Sequence, residues 1–92
     1  MNVSKTTINF AAKRGIFVEV VEADEYAPNG RLWFFFDEDG CEPDLAYIIG
    51  ADGSASFSTG YSISKEVKEE IPATIFNEKQ LRQVIDFIAA NN

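Results

Sequence analysis

Apolar and polar positions alternate from Ile16 to Tyr61, and the residues on either side recur with helical spacing. Ser4 precedes a short stretch closed by Lys13-Arg14-Gly15. That pattern predicts a helix with Ser4 as N-cap, cations in the last turn and a glycine stop. Val3 and Ile8 take the positions of a hydrophobic staple. Thr6, Thr7 and Asn9 weaken the helical preference and leave a strand as the alternative here.

Along the first strand Ile16, Val18 and Val20 fall on one side and Phe17, Glu19 and Val21 on the other. Pro28-Asn29-Gly30 signals a turn, and residues 31–36 form a second strand of strong β-formers. A polar loop over 37–44 leads to a third strand at 45–49. Asp52-Gly53 is the best hairpin dipeptide in the chain. In the fourth strand Ala55, Phe57, Thr59 and Tyr61 alternate with Ser54, Ser56 and Ser58.

The last third turns helical again. A short helix is expected over 64–70, with Ile63, Val67 and Ile71 spaced by four, and Pro72 interrupts it. Asn77 then caps a longer helix, Gln80 takes the return position of a capping box, and Phe76 is placed to staple onto Leu81. Leu81, Val84, Ile85 and Ile88 make one apolar stripe, and Glu78–Arg82 and Arg82–Asp86 are i,i+4 pairs.

This order predicts an α+β fold: a four-stranded antiparallel meander with an N-terminal helix and two C-terminal helices packed on the sheet. One helix layer would cover the face carrying Val18, Val20, Phe34, Phe36 and Phe57. The opposite face then holds Phe17, Val21, Trp33, Phe35 and Ile48, with Glu19 and Ser56 among them, and is less polar than a solvated face should be. Three occupants compete for it: the N-terminal helix, a second copy of the chain, or a partner protein.

Ninety-two residues, 46% hydrophobic and 25% charged, fit one globular domain, 1–92, and leave no room for an interdomain cleft or a doubly wound nucleotide fold. No apolar run has the length of a signal peptide or a membrane span, and Cys41 is the only cysteine. A cytoplasmic protein without disulfides is expected, so the Asn2-Val3-Ser4 sequon is read as chance.

Residue types remove most catalytic constellations. Histidine is absent, so there is no imidazole base or ligand. Asp39 and Glu42 flank Cys41 closely and disfavour its thiolate. Ser62-Ile63-Ser64-Lys65 has the Ser-x-x-Lys spacing of penicillin-recognising enzymes, but their companion motifs are missing and Ser64 serves better as a helix cap. Gly50-Ala51-Asp52-Gly53 lacks the lysine and spacing of a phosphate loop. The acidic run from Asp37 fails the EF-hand pattern, since its first glycine comes fourth and Ile48 stands twelfth. No enzyme activity, metal or cofactor is expected.

Charge is more informative. Residues 19–52 carry ten acids against Arg31 alone, so this segment exceeds the net −7 of the whole chain. Glu22, Asp24 and Glu25 follow the first strand, and Asp37, Glu38, Asp39, Glu42 and Asp44 follow the second. In an antiparallel pair these clusters lie at opposite ends of the hairpin and flank the aromatic face. Such a surface repels nucleic acid and anionic membranes and attracts a basic protein.

The expected function is therefore a small acidic binding protein that inhibits a basic, nucleic-acid-handling partner such as a nuclease. Chains of this size and charge occur among phage-encoded inhibitors of host defence, including anti-CRISPR proteins, and among toxin-neutralising immunity proteins. The candidate residues are those eight acids for steering, with Trp33 and Phe35 as anchors. The alternative is a homodimeric assembly protein that buries the same aromatic face by symmetry.

Overall fold

The computed structural model describes residues 2–91; Met1 and Asn92, which belong to the expected 1–92 domain, lie outside the described residues. The elements follow in the order α1 (Lys5–Ala12), β1 (Phe17–Val21), β2 (Arg31–Phe35), β3 (Leu45–Ile49), β4 (Ala55–Gly60), α2 (Lys65–Glu70), β5 (Thr74–Ile75) and α3 (Glu78–Asn91). The sheet is antiparallel throughout, with strand order β1-β2-β3-β4-β5.

The α+β class and the meander are as expected, but the sheet has five strands and not four. Pro72 ends α2, and the chain then lays Thr74 and Ile75 against Ser56 and Ala55. Two residues are too few to show an alternating pattern, so this strand leaves no signal in the sequence.

Local chemistry sets the side on which the helices pack. Ser4 caps α1, its Oγ accepting from the Thr7 amide at 3.3 Å. At the other end Gly15 takes φ +78°, its amide bonds to Ala12 O, and the Ile16 amide bonds to Ala11 O. This Schellman closure brings Ile16 onto the buried flank of α1 beside Ala11. Ile16 and Val18 share one side of the first strand, so the closure commits α1 to that same side.

Helix α3 caps on Asn77, whose side chain accepts from the Gln80 amide at 2.9 Å. The return bond of the capping box moves one residue back, Gln80 Oε1 accepting from Phe76 N at 2.8 Å. Phe76 itself stays exposed, contrary to its expected role as a staple. Leu81, Val84, Ile85 and Ile88 are buried as the stripe predicts, each worth roughly 1.5–3 kcal/mol relative to exposure. Ser64 caps α2 through the Val67 amide, and Ile63, Val67 and Ile71 join the same core.

Helices α1 and α3 run side by side in the same direction. Ser4 and Thr7 meet Glu78 at one end, and Arg14 meets Asp86 at 2.6 Å at the other. The expected Glu78–Arg82 pair forms at 3.7 Å. The Arg82–Asp86 pair does not, because Asp86 is taken by Arg14 across the helix interface.

The core lies between this helix layer and one sheet face, with Val18, Leu32, Phe34, Leu45, Tyr47, Ile49 and Ala55 buried. Phe36 is half-buried. Val20 (44% exposed) and Phe57 (37%) lie on this side too, past the rim of the helices, and are not the core residues the alternation predicts. Gly30 allows the chain to turn tightly into β2. It takes φ +91°, and a Cβ there would meet Val21 O at 2.4 Å.

Candidate functional site

Because both long helices share one side, the other sheet face has no helix on it. The register places Phe17, Glu19 and Val21 of β1 opposite Phe35, Trp33 and Arg31 of β2, and Trp33 in turn opposite Ala46 of β3. Trp33 and Phe35 meet edge to face with ring centroids 6.0 Å apart. Ile48 is more than a third exposed, while Phe17, Val21, Trp33 and Phe35 are half-buried among themselves.

A β-bulge reshapes this face. Tyr47 pairs with Phe57 and Ala46 pairs with Thr59, so Ser58 is an extra residue in β4. Strict alternation places Thr59 and Tyr61 with Phe57; the bulge moves them to the helix-free side instead. A hollow of about 420 Å³ results, lined by Trp33, Ala46, Thr59 and Tyr61, with Glu42 and Pro43 at its rim. Pairing by alternation gave no sign of Tyr61, Thr59 or Ser58 as site residues.

The candidate acids sort into two kinds. Asp24 and Asp44 serve the fold. Asp24 accepts from the amides of Tyr26 and Ala27 at 2.9 and 2.8 Å and pairs with Arg31 at 2.6 Å. The Arg31 hydrogen bond, followed by that from Ala27, holds its carboxyl below the usual value of 3.8. Asp44 closes the loop before β3: its carboxylate accepts from Phe36 N at 2.7 Å, and its amide bonds to Phe34 O. Asp37 spends one oxygen on a local turn with the Asp39 amide.

Glu22, Glu25, Glu38, Asp39 and Glu42 are exposed, and among the described residues none of their carboxylates has an ion pair. The antiparallel register confirms that the two acidic segments sit at opposite ends of the β1–β2 hairpin. The second segment also reaches the aromatic face. A Cβ on Gly40 would lie 3.3 Å from the Phe35 ring, and Glu42 and Pro43 border the hollow beside Trp33.

Elsewhere, a groove of about 310 Å³ lies between Ile71-Pro72 and Val84-Phe87 on the helical side, with Glu70 as its charged group. Cys41 is exposed and unpaired. Among the described residues no group of three or more Cys, Asp or Glu side chains is placed to hold a metal ion, and no helix is long and apolar enough to cross a membrane. No family model, curated protein or solved structure matches this chain.

Proposed function

We propose that this chain is a non-enzymatic binding protein that occupies and inhibits a basic, nucleic-acid-handling protein. The observation that carries the proposal is the helix-free aromatic sheet face bordered at both ends by carboxylates without ion pairs. Long-range attraction from these acids speeds encounter with a cationic groove, where they stand in place of phosphates. Trp33 and Phe35 then supply the desolvated contact that slows release. This chain has the size and charge found among phage-encoded anti-defence inhibitors and immunity proteins.

Charge argues against a second copy as occupant. Any self-association through this face brings two segments of like sign together, each with ten acids against one arginine. The test is affinity capture from the native host's lysate at low and high salt, followed by assay of the captured protein's nucleic-acid processing. Capture of one basic protein chiefly at low salt, with its activity blocked by the wild type and restored when Glu38, Asp39 and Glu42 become amides, is the expected result. Recovery of the chain alone, with a concentration-dependent dimer in light scattering, would overturn it.

A further inference from the structure

The hollow on the open face is more specific than a general acidic surface. Ala46 stands between Trp33 of β2 and Thr59 of β4, and its methyl group leaves the depression that a larger side chain would fill. Its volume of about 420 Å³ is within the range of about 300–1,000 Å³ that accepts small-molecule-sized groups. Trp33 offers a π surface, and Tyr61, 74% exposed, offers a second ring. Ser58 and Thr59 bring hydroxyl acceptors. Glu42 brings a carboxylate that, among the described residues, pairs with no other side chain. Arg31 also lines the hollow, but Asp24 holds its guanidinium at 2.6 Å and compensates its charge.

We infer that this hollow seats an arginine side chain of the partner, an assignment that rests on the partner being basic as proposed above. A guanidinium is planar and weakly hydrated, lies flat on an indole, and directs two parallel N–H groups at one carboxylate. Its remaining donors find the Ser58 and Thr59 hydroxyls. A lysine ammonium has no flat face to lay on Trp33. A neutral side chain leaves the Glu42 carboxylate without a counter-charge.

Trp33 is the only tryptophan, so its emission reports directly on the hollow. The experiment titrates the full chain with N-acetyl-arginine methylamide and, separately, with the neutral isostere N-acetyl-citrulline methylamide. The arginine probe is expected to give a saturable change, with an affinity roughly tenfold above that of the citrulline probe. Ala46→Leu fills the hollow and abolishes the response. Glu42→Gln, on an exposed loop where folding is not at stake, weakens it by about tenfold. Equal responses to the two probes, no saturable response, or an unchanged Glu42→Gln titration would each overturn the assignment. If the probe fails while a basic partner is still captured and inhibited, the arginine pocket falls and the proposed function stands. If the probe binds and no basic partner is inhibited, the pocket stands and the proposed function falls.

Discussion

Thr7 donates its hydroxyl to the Glu78 carboxylate at 2.5 Å, joining residues 71 positions apart. Thr7 is fully buried, and its Oγ1 also accepts from Arg82 Nη1 at 3.2 Å. Ser4 adds its own Oγ and amide to Glu78, at 2.8 and 3.2 Å. One carboxylate in the first turn of α3 thus fastens the first turn of α1.

Replacing Thr7 by Val keeps the volume and removes the hydroxyl. Stability should fall by about 1–2 kcal/mol, read as a lower urea midpoint at unchanged slope. An unchanged midpoint would mean that the clasp contributes nothing net.

The same clasp makes stability acid-sensitive. Hydrogen bonds from Thr7, then Ser4, with the Arg82 charge adding to them, hold the Glu78 carboxyl below its usual 4.5. A lowered folded-state value contributes stability above the unfolded value, and that contribution is lost as pH falls below about 4.5. Urea midpoints should therefore decline through the acid range, and the Thr7→Val protein should decline less steeply. Parallel curves for the two proteins would show that the acid sensitivity arises elsewhere.

At the alkaline end the relevant group is Tyr47. Burial pushes its phenol up to about 12, and its hydroxyl donates to Pro72 O at 2.7 Å. Unfolded Tyr47 ionises near 10, so stability is full below that pH and falls as pH rises toward 12. The Tyr47→Phe protein should lose this alkaline decline, and at neutral pH should lose about 1–3 kcal/mol because the Pro72 carbonyl is left without its donor. Matching alkaline profiles in the two proteins would contradict the assignment.

Acids in the same loop should behave oppositely when replaced. Changing Glu38, Asp39 and Glu42 to amides should leave the unfolding free energy within about 0.5 kcal/mol of wild type while flattening the salt dependence of partner association. Asp44→Ala should lower stability by about 1–2 kcal/mol, since the Phe36 amide loses its acceptor. Calorimetry and salt-dependent association rates separate the two kinds. A steep salt slope retained by the triple amide protein would remove the steering role of these acids.

Where local chemistry decides the outcome, the sequence already carried it. The caps at Ser4, Ser64 and Asn77, the turns at Gly30 and Gly53, and the stripe of α3 are all where residue type and spacing put them. The side chosen by α1 was open from sequence because Ile16 could follow either flank; the Gly15 closure settles it. The bulge at Ser58 was hidden because one extra residue breaks a period of two without changing composition. Everything after it shifts face, which brings Tyr61 to the hollow against the alternation. Asp24 and Asp44 read from sequence as surface charge; Asp24 is indeed exposed, and both also accept from nearby amides, which sequence spacing alone does not show.

Every strand in this sheet pairs with its neighbour in sequence, so each pairing closes a loop far shorter than the chain, the longest being the segment that carries α2. The helix clasp is the exception, because it must wait for nearly the whole chain to be gathered. The hairpins should thus organise the transition state, with Thr7 and Glu78 meeting on its native side. Weakening the clasp should speed unfolding and leave refolding almost untouched, so it governs how long the folded chain lasts more than how fast it forms.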